Sequence, residues 1–166
     1  MKRFLLLFLA TVVTAWSASA QLSVSQLRTE HLTDPVGIGE RRPLLSWEVS
    51  DASRRGVTQS AYEIRVKSGG RTVWRTGKVA SAESAGVFYD GTPLTSDTRY
   101  TWQVRVWDDR GKASAWSRPA FWRTGLFDVG EWQARWIEPA VSDDLAAMFR
   151  RTFRVTKPVA EATVYV

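Results

Sequence analysis

Two carboxylate pairs (Asp108-Asp109 and Asp143-Asp144), a lone histidine (His31) and nine tryptophans are the residues of this chain that could do chemistry. Paired carboxylates suit hydrolysis of a glycosidic bond, and an inverting pair needs its carboxyls about 6.5–9.5 Å apart across a sugar-sized cleft. Neighbours in an extended chain point to opposite sides, so neither pair supplies that geometry by itself. Asp108-Asp109-Arg110-Gly111 reads instead as a turn capped by its own side chains. A Ser-His-Asp arrangement would depend wholly on His31, which stands beside a Pro/Gly-rich stretch and reads as a loop residue. There is no cysteine, hence no thiol nucleophile, and zinc would lack ligands. No Asp-x-Asp-x-Asp-Gly loop offers calcium a site, so no cofactor or metal is expected. Tryptophan faces can stack on sugar rings, and large aromatics outside a small core also pack against a neighbouring domain. Trp47 and Trp102 fit inward positions. Trp107, Trp116, Trp132 and Trp136 are the candidates for interdomain or sugar contact, with interdomain packing the preferred reading; Trp74 and Trp122 are left unassigned by the pattern.

The elements that must position these residues begin after a leader. Lys2 and Arg3, the apolar run Phe4 to Val13 and the small-x-small site Ala18-Ser19-Ala20 read as a signal peptide over residues 1–20. The run is shorter than the about 20 apolar residues a membrane span needs, so no membrane association is expected after cleavage. The expected destination is secretion, to periplasm or medium. Without Lys2 and Arg3 the formal charge falls from +6 to +4. The basic residues are scattered as dyads (Arg41-Arg42, Arg54-Arg55, Arg150-Arg151) rather than gathered on one stripe, which speaks against a nucleic-acid partner. The core must stand without disulfides, which a domain of about 100 residues can manage.

Tyr100-Thr101-Trp102-Gln103-Val104-Arg105-Val106-Trp107 alternates bulky apolar and polar residues, the period of a strand with one buried face. Similar short runs recur at Leu22–Leu27, Leu44–Val49, Ala61–Val66, Thr72–Arg75, Gly86–Tyr89 and Ala120–Thr124, and Gly69-Gly70 marks a hairpin turn. About seven strands with frequent turn signals predict an all-β antiparallel β-sandwich. In Leu94-x-x-x-Thr98-x-Tyr100 the spacing fits a tyrosine corner, whose hydroxyl bonds the upstream backbone. With Trp47 on the second strand, residues 21–126 resemble a fibronectin type III module.

Residues 127–138 read as a connector. The segment 139–166 alternates again, through Phe149-Arg150-Arg151-Thr152-Phe153 and a last run to Val166, but two strands cannot bury a sheet face. It is expected to be the truncated start of a second β-sandwich domain, with the chemistry lying elsewhere and an exposed, aggregation-prone strand edge.

Four blocks in order are similar to the N-terminal region of secreted bacterial α-L-rhamnosidases. They are Glu30-His31-Leu32-Thr33-Asp34-Pro35-Val36-Gly37-Ile38 leading to Pro43-Leu44-Leu45-Ser46-Trp47; Arg55-Gly56-Val57-Thr58-Gln59-Ser60-Ala61-Tyr62-Glu63-Ile64-Arg65-Val66; Tyr100 to Asp108 with Gly111 to Ser117 behind it; and Thr124-Gly125-Leu126-Phe127 before Trp132-Gln133-Ala134-Arg135-Trp136-Ile137. The resemblance implies an accessory portion of a glycoside hydrolase that releases terminal L-rhamnose with inversion. It implies catalytic carboxylates in a downstream (α/α)6 domain, the expected partner together with rhamnose-containing glycans. No catalytic residue carries over onto this sequence, so the chain by itself is expected to be inactive: a gene fragment, or a remnant. The reading from a different class is a free-standing secreted carbohydrate-binding or adhesion module.

Overall fold

A computed structural model describes residues 22–138 and 148–165. The expected signal peptide therefore lies outside the described residues, as do Asp143 and Asp144. Nine strands follow in order: β1 (Ser23–Thr29), β2 (Val36–Ile38), β3 (Leu44–Ser50), β4 (Gln59–Ser68), β5 (Arg71–Arg75), β6 (Val79–Ala80), β7 (Val87–Phe88), β8 (Arg99–Asp108) and β9 (Ala120–Thr124). They form two sheets, one in the order β1-β3-β7 and one in the order β2-β9-β8-β4-β5, with β6 paired to β4. The seven expected strands are all present. The two additions are short: β6, and β2, which runs parallel to β9 and is the exception to an otherwise antiparallel pairing among the described residues.

The alternation predicted for β8 is realised. Tyr100, Trp102, Val104 and Val106 are buried while Thr101, Gln103, Arg105 and Trp107 lie half-covered on the opposite face. Leu45 and Trp47 of β3 and Tyr62, Ile64 and Val66 of β4 meet them in the core. Trp122, which the pattern left unassigned, is wholly buried; its ring stacks on Tyr100 with centroids 5.4 Å apart and meets Tyr89 edge-on at 5.9 Å. Trp74 closes the same aromatic group from β5, edge-on to Tyr89 at 5.1 Å. Offset and edge-to-face contacts of this kind add to the area that the rings remove from water.

The tyrosine corner is formed: the Tyr100 hydroxyl accepts the Thr95 N–H at 2.9 Å, beside buried Leu94. It pins the chain entering β8. Glu131, in the 3-10 turn Val129–Glu131, reaches back to the same region, accepting the Ser96 hydroxyl at 2.6 Å and the N–H groups of Phe127 and Asp128. The sandwich thus holds the chain as far as Trp132, where the first compact unit ends; a second begins at Gln133. Within the second unit the described residues form no strand, and Met148, Phe149, Phe153, Val159 and Val164 are exposed.

β9 pairs with β8 only from Arg99 to Trp102, so the edge of β8 beyond that point needs other partners. Two serines supply them. Ser117 N–H donates to the Val104 carbonyl at 2.8 Å while its hydroxyl accepts the Val104 N–H at 3.1 Å. Ser114 repeats the arrangement on Val106, at 2.8 and 3.0 Å. A hydroxyl standing in for a carbonyl lets this segment line the strand without being one, and it delivers Trp116 onto the outer face of the sheet.

Candidate functional site

That outer face carries a ladder of cations and aromatic rings. The β4–β8 register sets Glu63 opposite Arg105 and Arg65 opposite Gln103, and the β4–β5 register sets Arg75 opposite Arg65. Trp116 lies between two guanidinium groups, 4.2 Å from Arg65 and 4.9 Å from Arg105 measured to its ring centroid. Trp107 in turn has Arg105 at 5.0 Å and the Lys78 ammonium at 4.7 Å. Such contacts use the electron-rich ring faces, the surfaces a sugar would stack on. Trp107 and Trp116 are therefore brought together, half-covered, as members of one ladder. Trp132 and Trp136 do not join it. Trp132 is partly exposed at the end of the first unit and Trp136 is fully exposed in the second.

The group that sequence reasoning passed over is Glu63. Alternation places it on the polar face of β4, yet its side chain is only 3% exposed. Arg75 Nε donates to one carboxylate oxygen at 2.6 Å, and Arg105 donates to the other through Nε at 2.8 Å and pairs through its terminal nitrogen at 2.6 Å. Burial pushes this carboxyl up, but the two guanidinium partners outweigh it and hold the acid below its ordinary value. Glu63 is thus fixed as a carboxylate, the ion that ties β4, β5 and β8 together. A stably ionised, fully bonded carboxylate is unsuited to delivering a proton as a general acid.

Asp108 and Asp109 are also spent on structure. Asp108 Oδ1 accepts the N–H groups of Arg110 at 3.0 Å and Lys112 at 2.7 Å, and its Oδ2 pairs with Arg54 at 2.9 Å. Asp109 meets the same Arg54 nitrogen at 3.1 Å. The Lys112 N–H above all, with Arg110 and Arg54, holds the Asp108 carboxyl below its usual range. The expected self-capped turn is therefore what forms. The two carboxylates share one cation instead of facing each other across a cleft. His31 occupies the second corner of a tight turn closed by reciprocal Thr29–Leu32 backbone bonds, with φ of 63°. That left-handed conformation suits His better than most side chains, and it leaves His31 an exposed turn residue. Among the described residues no group of three His, Cys, Asp or Glu side chains could hold a metal ion.

Two sheets packed face to face, β1-β3-β7 against the five-strand path that ends at β5, define an immunoglobulin-like β-sandwich. Residues 24–128 match the Rha78A-like, N-terminal immunoglobulin domain. The chain belongs to that family. An α-L-rhamnosidase of Streptomyces avermitilis is 44% identical over 121 residues, covering 70% of this chain and 12% of its own. One from Formosa agariphila is 33% identical, over 81% of this chain and 17% of its own length. The crystal structure of the Streptomyces avermitilis α-L-rhamnosidase complexed with L-rhamnose superposes with a TM-score of 0.68 at 43% identity, over 72% of this chain and 12% of that one. The chain thus spans less than a fifth of the length of these relatives, and what it shares with them is an N-terminal immunoglobulin-like domain.

Proposed function

We propose that this chain is the N-terminal accessory portion of an exported α-L-rhamnosidase, a β-sandwich that packs on and positions the enzyme's catalytic unit. The observation that carries this reading is the combination of a 44% identical rhamnosidase relative with a sandwich whose Glu63, Asp108 and Asp109 carboxylates are engaged in structure. In this reading L-rhamnose release belongs to the whole enzyme. Exposed Trp132 on the first unit, and Trp136 with the apolar side chains of residues 148–165 on the second, are each surfaces that the rest of the enzyme covers. The segment beyond residue 138 is then the opening of the next β-domain, and the leader-like residues 1–20 direct export. The engaged faces of Trp107 and Trp116 favour packing over sugar binding as the role of this module.

A domain exchange tests the packing role. Residues 24–128 of this chain should replace the aligned region of the Streptomyces avermitilis enzyme with rhamnosidase activity retained within about threefold. Deleting that region outright should lower the melting temperature of the enzyme by several degrees, because the apolar surface it covers becomes wet. A deletion variant as stable and active as the intact enzyme would remove the basis for the reading.

A further inference from the structure

One corner of the large sheet is charged in a way that folding alone does not explain. On the outer face, where β8 begins, the register sets Arg99 directly opposite Arg123 and Lys67 directly opposite Thr101. Lys67 is then diagonal to Arg99, with Arg65 two residues along β4. Like charges facing each other across an antiparallel pair destabilise it. Asp97 partly offsets the group: its Oδ1 accepts the Arg123 Nε at 2.8 Å and lies 2.7 Å from the Arg123 terminal nitrogen. Among the described residues, neither Arg99 nor Lys67 has an ion-pair partner in the salt bridges the fold makes. Arg99 is exposed, and its guanidinium lies over Phe121, its Cζ 3.6 Å from the ring centroid. Stacking consumes the faces of a guanidinium but leaves its in-plane N–H donors unspent. Phe121 therefore holds a donor fork in place before any ligand arrives, which lowers the ordering cost of binding.

We infer that this corner, built on Lys67, Arg99 and Arg123, binds a carboxylate-bearing glycan chain of the uronate type. The inference rests on the glycosidase reading above and adds the chemical class of polymer that the module would hold. The geometry favours a glycan over an acidic peptide. β8 is paired on both sides here, by β4 and β9, and β9 by β8 and β2, so a peptide cannot extend a strand at Arg99 or Arg123; the sheet's edges are β2 and β5. The cavities beside Asp90 and beside Asp51 lie elsewhere, and the corner itself is a sheet face. A polymer lying flat can present repeated carboxylates to these cations, with Arg99 and Lys67 making charge-assisted hydrogen bonds and Arg123, held by Asp97, adding positive charge behind them.

Affinity electrophoresis of the full chain through gels containing polygalacturonate tests this, with neutral dextran and poly-L-glutamate as comparison polymers. Polygalacturonate should retard the protein and dextran should not. The R99Q/K67Q variant should bind about tenfold more weakly, the loss expected when charge-assisted contacts are removed. R55Q, which deletes an exposed arginine elsewhere, should change binding less than about twofold, and near-UV circular dichroism should show both variants folded. No retardation by polygalacturonate overturns the inference. An equal loss in R55Q overturns it in favour of diffuse charge, and equal affinity for poly-L-glutamate overturns it in favour of an acidic polypeptide. Because the domain exchange reads packing in the enzyme and this assay reads the isolated chain, failure of one leaves the other intact.

Discussion

Trp122→Ala will destabilise the sandwich by about 3–5 kcal/mol. Trp122 is fully buried between Tyr100 and Tyr89, and its removal opens a void where the two sheets meet. Close-packed neighbours relax only partly into such a void, so the lost dispersion contacts add to the lost transfer free energy. Total stability for a domain of this kind is about 5–15 kcal/mol, so the variant should sit near the edge of folding. Its melting temperature should fall by roughly 15–25 °C. Thermal unfolding followed by circular dichroism checks this; a shift of only a few degrees would mean the aromatic group is less tightly packed than its geometry indicates. Trp136→Ala is the natural comparison. Its side chain is fully exposed, and the isolated chain should be unaffected.

Glu63→Gln should cost about 2 kcal/mol, a magnitude set by leaving charged hydrogen-bond partners without their acceptor. Arg75, with 60% of its side chain exposed, can turn to water, whereas Arg105 at 31% is held by Trp107 and Trp116 and recovers less. The pH dependence identifies the cause. Burial raises the Glu63 carboxyl, and the bonds from Arg75 and Arg105 more than reverse this, so its folded-state value lies below the unfolded one. A depressed carboxyl stabilises the fold fully above the unfolded value of about 4.3, and that contribution is lost as pH falls toward the folded value. The stability difference between the parent chain and Glu63→Gln should therefore be constant from neutral pH to about 5 and shrink below about 4. Asp51, Asp108 and Glu131 are also held below their usual values. They steepen acid unfolding in both proteins and cancel in the difference. A difference that persists unchanged to pH 3 would show that Glu63 acts through shape and not charge.

How much of the fold could be read from the residues depended on whether the physics was local. The inward face of β8 was legible because alternation is a property of one strand, and the tyrosine corner because Leu94, Thr98 and Tyr100 lie within one turn and its strand. Trp122 was not. In Ala120-Phe121-Trp122 two large apolar residues are adjacent, and pairing with Tyr100 across the strand boundary decides which of them faces the core. Glu63 was missed for the same reason. Its partners are 12 and 42 residues away, and only the β4–β5–β8 register brings them to one carboxylate. β2 escaped notice because it is three residues long and holds Gly37 at a φ of 82°, so no alternation announces it. The cation–aromatic ladder was half-legible. Trp107 and Trp116 stood out by type, but the arginines that cover them emerge only once Ser114 and Ser117 lay the loop along β8.

The central claim is that this sandwich serves an α-L-rhamnosidase without carrying its chemistry. The most direct measurement is release of L-rhamnose from a chromogenic aryl α-L-rhamnoside by the purified chain, with a β-rich circular dichroism spectrum recorded on the same sample. The prediction is a folded protein with no turnover above buffer. Turnover that survives further purification and disappears in Asp108→Asn or Asp109→Asn would place the catalytic carboxylates on this sandwich and contradict the assignment.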